Sequence, residues 1–146
     1  MSDTSSLTST YDSRRPGPAS NPVAANTSSP HQGVQVLGQQ GEEGRKAFYI
    51  HIEALPGKEM DVVRMLEDIL HCVEGEPATG PWYGVRYSQT TFGIFEVFPD
   101  LAGRQAHVEG GGGDIFRDVK RMNAILAYPA QVYRMDVLLG KEVFAH

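Results

Sequence analysis

Three residues of this 146-residue chain could move a proton or steady an anion: His51, Arg86 and His107. Histidine exchanges protons near neutral pH, and a guanidinium is a fixed cation that matches an oxyanion. Two of the three sit in alternating stretches. Tyr49, His51 and Glu53 interleave with Phe48, Ile50 and Ile52, and Trp82, Gly84 and Arg86 interleave with Tyr83, Val85 and Tyr87. Ile94, Glu96 and Phe98 form a third such set, against Phe95 and Val97. Aromatic rings beside a base and a cation describe a pocket for a small flat molecule. His107 lies late in a short amphipathic stretch, where the competing reading is a histidine hydrogen-bonded at a helix end.

Other chemistries find no support. Cys72 is the single cysteine, which excludes a disulfide framework and any multi-cysteine metal site. His51-Ile52-Glu53 has the spelling of a zinc deaminase motif, but its Pro-Cys-x-x-Cys partner is absent. Gly110 to Gly113 precede a helical stretch without the Lys-Ser/Thr of a phosphate loop, and Asp114 would repel a phosphate there. This run is expected to be a mobile loop over a pocket mouth or a plain flexible kink. No metal and no cofactor are expected.

Hydrophobic residues make up 40% of the chain and charged residues 21%, with a formal net charge of −5. Without a basic stripe, nucleic acid is not an expected partner. No apolar run approaches the length of a membrane span and no secretory signal opens the chain, so a cytoplasmic location is expected. Among the Phe, Tyr and Trp residues only Tyr11 precedes Phe48. Residues 1–45 are rich in Ser, Thr, Pro and Gly, and are expected to form a disordered tail, with Val34-Gln35-Val36-Leu37 able to pair as a short edge strand. Residues 46–146 form the expected domain.

Within that domain the alternation from Lys46 to Glu53 predicts a strand, which Pro56-Gly57 ends. Lys58 to Val73 places Val62, Val63, Leu66, Ile69, Leu70 and Val73 on one helical stripe. Trp82–Gln89 and Thr91–Phe98 predict an antiparallel hairpin. Asp100 can cap a helix through Val108, and Asp114 a second piece that carries Phe116, Val119, Met122 and Leu126. Gln131 to Leu139 alternate as a last strand. The order is the split βαββαβ of the ferredoxin-like fold: an α+β domain with two helices on one face of an antiparallel four-stranded sheet.

If Phe48/Ile50/Ile52, Tyr83/Val85/Tyr87, Phe95/Val97 and Tyr133/Met135/Val137 lie under the helices, the opposite face carries Tyr49/His51/Glu53, Trp82/Arg86, Ile94/Glu96/Phe98 and Val132/Arg134/Asp136/Leu138. That face is too apolar for solvent. The expected solution is a homodimer with two sheets packed face to face, Arg86 and Arg134 paired with Glu53, Glu96 or Asp136, and a shared cavity between them.

The stretches Ala54 to Glu59, Gly75-Glu76-Pro77, Ile94 to Asp100 and Ala102 to His107 resemble, in order and spacing, the antibiotic biosynthesis monooxygenase family over about residues 46–142. The resemblance implies a dimeric α+β barrel. It also implies an activity, since characterised members include cofactor-independent monooxygenases of phenols and hydroquinones, and related haem-degrading enzymes. By position Ile94 and Phe98 would line the family's pocket, Glu96 is similar to its strand-end acid, and His107 matches a histidine of the following helix. The second histidine common in the family is replaced by Glu109 to Asp114.

The resemblance then implies that a phenol or quinol substrate itself reduces dioxygen. The protein would supply an apolar pocket from Tyr49, Trp82 and Phe98, a base from His107 or His51, and an anion-stabilising cation from Arg86. The alternatives are a non-catalytic dimeric barrel that binds a small ligand or a protein partner, and haem degradation, for which the stretch Phe116 to Met122 has no axial histidine.

Overall fold

The computed structural model describes residues 30–141. Every element belongs to the unit that begins at His31. The reading of residues 1–29 as a flexible tail lies outside the described residues.

The elements in chain order are β1 (Val34–Leu37), β2 (Lys46–Glu53), α1 (Glu59–Val73), β3 (Trp82–Arg86), β4 (Thr91–Phe98), α2 (Leu101–Val108), α3 (Gly111–Arg117), α4 (Val119–Ile125) and β5 (Ala130–Asp136). The sheet order is β1-β5-β2-β4-β3. β5, β2, β4 and β3 pair antiparallel in the split βαββαβ order, as the alternation predicts. β1 pairs parallel to β5, so the sheet is mixed and five-stranded, not antiparallel and four-stranded. It comes from the stretch that composition assigns to the tail, and the sheet therefore starts upstream of Lys46. His31 anchors its approach: Asn123 Nδ2 donates to His31 O (2.8 Å), and His31 N donates to Asn123 Oδ1 (2.8 Å). At the far end the chain turns at Gly38, whose φ of +86° and closeness to the Arg134 carbonyl, 2.5 Å from where a Cβ would stand, admit only glycine.

The register decides which side chains share a face. Phe48 stands opposite Glu96 on one side and Arg134 on the other, Ile50 opposite Ile94 and Val132, and Trp82 opposite Glu96. Trp82, Ile94, Glu96, Phe98, Val132 and Arg134 thus lie with Phe48, Ile50 and Ile52 beneath the helices. Tyr83, Val85, Phe95, Tyr133 and Met135 share the open face with Tyr49 and His51. This reverses the expected parity for three strands. In β3, β4 and β5 both alternating sets contain aromatic or branched residues, so hydrophobicity does not choose between them, and only pairing with β2 does.

Val62, Met65, Ile69 and Val73 of α1 pack on the sheet, with Met65 in the buried place expected of Leu70. Asp100 caps α2 by accepting from Gly103 N at 2.8 Å, as its position suggests. The glycine run differs from expectation. Gly111, Gly112 and Gly113 are the first turn of α3, and the helix breaks at Asp118, which caps α4 by accepting from Arg121 N. α3 contacts both α1 and α2, and the missing side chains explain how closely. A Cβ on Gly111 would meet Cys72 Sγ at 2.8 Å, and one on Gly113 would meet Val108 O at 1.9 Å. The run is a tight seam, not a lid.

Replacing glycine by alanine inside a helix ordinarily stabilises it by about 1 kcal/mol. Gly113→Ala is expected to do the opposite and destabilise by at least about 2 kcal/mol, because the obstruction is backbone. Gly75→Ala, with nothing closer than 3.9 Å, is expected to be near neutral. Denaturant titration checks both, and a stabilised Gly113→Ala would show that α2 and α3 are not packed in this way.

Candidate functional site

One face of α2 turns Gly103, Arg104 and His107 inward, as positions three and four apart must. Beneath them is a cavity of about 290 Å³ between the sheet and the helices. Its apolar wall includes Phe48, Ile50 and Val132 from the sheet, Val34 and Val36 from β1, and Phe116 from α3. Its polar groups are Glu96, His107, Arg104, Arg134 and Gln40, with Arg117 and Gln105 also on the wall.

His107 is 7% exposed and Glu96 1%. The imidazole Nδ1 lies 2.7 Å from Glu76 Oε1, and Nε2 lies 3.2 Å from Glu96 Oε1. Thr79 Oγ1 donates to the same Glu76 oxygen at 2.7 Å. Burial alone would depress the histidine pKa, but contact with Glu96, then with Glu76, outweighs it and the net shift is upward. The two carboxylates therefore favour the protonated form of His107, whose ring lies 5.1 Å from that of Phe98. The Nε2 to Oε1 contact is short enough for charge attraction but off the line of a hydrogen bond. Glu96 Oε1 is left buried with no hydrogen-bond partner among the described residues. We treat it as an acceptor available to a ligand, because a buried carboxylate oxygen without a donor is costly.

The other expected site residues divide between three places. His107, Glu96 and Phe98 come together as described, while Ile94, fully buried, packs in the core beside them. His51 and Tyr49 stand on the open face instead. His51 Nδ1 contacts Tyr87 OH (2.8 Å), Nε2 contacts Tyr128 OH (2.9 Å), and Tyr87 OH bonds in turn to Tyr49 OH. Burial lowers the His51 pKa, opposed by Glu53, so this ring is neutral and both its nitrogens are engaged by phenols. Burial raises the Tyr49 pKa, with the Tyr87 hydrogen bond acting against it. Arg86 is away from both groups: it donates to the carbonyls of Ser88 (3.1 Å) and Gln89 (2.6 Å) and lies over the Phe92 ring, holding the hairpin turn. Trp82 packs, half-buried, on the core.

The expected ion pairs of Arg86 and Arg134 with Glu53, Glu96 or Asp136 do not form within the chain. Glu53 accepts from the Thr90 and Thr91 hydroxyls at 2.7 Å, and Asp136 pairs with the buried Lys46 at 2.7 Å. Arg134 donates to Gly38 O instead. Three residues of the site are ones that the pattern did not single out: Glu76, Arg104 and Gln40. Arg104 stands three residues before His107 on the same helical face, a spacing that could have found it. Glu76 and Gln40 arrive from loops and carry no such signal.

No protein-family model and no curated protein matches the chain. Solved structures do. A protein of unknown function from Nitrosomonas europaea is 28% identical, with 72% of this chain and all of that one covered and a TM-score of 0.63. A candidate antibiotic biosynthesis monooxygenase from Caulobacter crescentus is 16% identical over 67% of this chain and 93% of its own (TM-score 0.57). A second from Nitrosomonas europaea is 16% identical over 70% and 96% (TM-score 0.57). The chain has the fold of the antibiotic biosynthesis monooxygenases. At 16% identity that likeness concerns the fold alone.

The two histidines should titrate apart. In an NMR titration His107 is expected to change above the ordinary value near 6.5 and His51 below it. Because the His107 pKa is raised on folding, its contribution to stability is complete below about 6.5 and fades as pH rises through the folded value. Glu76→Gln is expected to move the His107 midpoint down, and an unmoved midpoint would contradict the paired geometry.

Proposed function

We propose that this protein is a cofactor-independent monooxygenase of the antibiotic biosynthesis monooxygenase family, which oxidises a phenolic or quinol-like metabolite with dioxygen. The observation that carries the reading is a buried acceptor, Glu96 Oε1, beside the His107 imidazole on the wall of a cavity with Phe48, Ile50, Phe116 and Val132 as its apolar side. The fold neighbours described as candidate monooxygenases support it. At about 290 Å³ the cavity lies at the small end of ligand pockets, which fits an aromatic ring with few substituents.

In the proposed reaction Glu96 accepts the proton of the substrate hydroxyl. The resulting phenolate gives one electron to dioxygen, and the ring radical and superoxide combine at a hydrogen-bearing carbon ortho or para to the phenolate oxygen, which in a quinol is an ortho carbon. The imidazolium of His107 stabilises the superoxide and peroxide charge and protonates the outer oxygen. Loss of the hydrogen on that carbon then breaks the O–O bond. A phenol and dioxygen yield a quinone and water: the ring loses four electrons, dioxygen gains them, and the hydroxyl and ring hydrogens end in the water. His107 acts here as cation and acid, and the base role passes to Glu96.

The protein is proposed to work in the cytoplasm as a homodimer, joined through the open sheet face. Two observations support that interface: Phe95 and Tyr133 remain 39% and 36% exposed there, and Tyr49 stacks on Tyr133 at 6.3 Å rather than on a covering element. No helix among the described residues is long and apolar enough to cross a membrane.

Oxygen uptake with a panel of quinols and naphthols tests the chemistry. Glu96→Gln and His107→Gln are each expected to lower kcat/KM by roughly 100-fold or more, the usual scale of a positioned acid or base. Unchanged turnover in both would remove the assignment. Sedimentation equilibrium is expected to give twice the 16.0 kDa chain mass, and Phe95→Glu is expected to shift it towards one. A monomeric wild type would dispose of the interface.

A further inference from the structure

The cavity holds more positive charge than its own carboxylate accounts for. Arg104 is 3% exposed, lines the wall, donates to Ala47 O (3.1 Å) and lies 4.9 Å from the Phe48 ring centroid. Arg134 lines the same wall and donates through Nη2 to Gly38 O (2.7 Å). Neither guanidinium forms an ion pair with any described residue.

The nearby acids are engaged elsewhere. Glu96 faces His107 at 3.2 Å, Glu76 lies behind the same ring, and Asp114 pairs with Arg117. Asp136 is held by Lys46 Nζ (2.7 Å) and the Gly41 amide (2.8 Å). Burial depresses the Arg104 pKa, Arg134 depresses it further and Asp136 opposes both, as expected of neighbouring like charges with distant compensation. Two more groups on this wall are unsatisfied. Arg134 Nε and Gln40 Oε1 are buried with no hydrogen-bond partner among the described residues. A half-turn of the Gln40 amide would offer Nε2–H in place of the oxygen.

Cations and donors left unpaired against a small apolar chamber are costly unless a ligand completes them. We propose that the substrate carries a carboxylate, which docks between Arg104 and Arg134, so that the protein acts on a phenolic acid rather than on a neutral phenol. The inference rests on the oxygenase reading and deepens it. Phe48 shows how the two ends connect: its ring lies beneath the Arg104 guanidinium and 6.4 Å from the His107 ring. An aromatic acid lying on Phe48 would place its carboxylate on the guanidinium pair and its hydroxyl towards Glu96. Planar guanidinium forks suit a carboxylate, and charge-assisted bonds of this kind are roughly twice as strong as neutral ones.

The test compares gentisate with hydroquinone, two quinols that differ by one carboxylate, by calorimetric binding and by oxygen uptake on the full-length protein. The wild type is expected to bind gentisate about tenfold or more tightly than hydroquinone. Arg134→Met and Arg104→Met are expected to abolish that preference by weakening gentisate about tenfold or more beyond any change in hydroquinone binding. Arg104→Met also removes a backbone contact, so Arg134→Met decides the matter if the former does not fold. Equal affinity for the two quinols in the wild type, or an unchanged preference in Arg134→Met, would overturn the proposal. Oxygen uptake separates the two readings: turnover of hydroquinone without a carboxylate preference sinks this inference and leaves the oxygenase standing. An arginine-dependent preference for gentisate without uptake sinks the oxygenase and leaves the anion site.

Discussion

A charged histidine beneath an apolar helical layer is tolerable only if its counter-charges are held in place. Removing one partner of a buried ion pair typically costs about 3–5 kcal/mol, more than most single packing contacts. Here the partners come from two distant parts of the chain, Glu96 in β4 and Glu76 just beyond α1, and the imidazole from α2. The cluster thereby fastens a strand, a loop and a helix to one point. The tight start of α3 serves the same end: Gly112 passes His107 at a distance where a Cβ would touch its Cε1 at 3.4 Å. The cavity is the space that remains around this knot once the helices have closed on the sheet.

The sheet carries two separate polar systems. Beneath the helices the groups are ionic: imidazolium, carboxylates and guanidinium. On the open face they are neutral, a chain from Tyr49 through Tyr87 and His51 to Tyr128. The segregation follows from the pleat, since adjacent residues of one strand point to opposite sides. Phe48 and Tyr49 are neighbours in sequence and belong to different environments.

Much of the fold was legible because β2, α1 and the β3–β4 hairpin have unambiguous periods and clear stops such as Pro56-Gly57. β1 was legible as a short edge strand at Val34 to Leu37, but its partner was not, because four residues in a polar stretch carry no signal for parallel pairing with β5. The face assignment failed where both alternating sets were apolar, and Glu96 and Arg134 compounded the error, because charged residues invite placement towards solvent. The site was half legible. His107, Glu96 and Phe98 were found by resemblance and are together. Arg86 and His51 have the right chemistry, but their side chains are taken up by the turn carbonyls and by two phenols. Glu76 acts through tertiary approach, which no local pattern announces, whereas Arg104 shares the helical face of His107 and its spacing was the missed signal.

β1 gives the chamber an unequal enclosure. Its Val34 and Val36 form part of the wall, yet the strand is a four-residue ribbon at the margin of the sheet, held by parallel pairing with β5 and by the clasp at His31. Margins of this kind open far more often than the interior they border. A change that weakens the β1–β5 pairing would therefore loosen the wall formed by Val34 and Val36 before it disturbed the charged knot around His107.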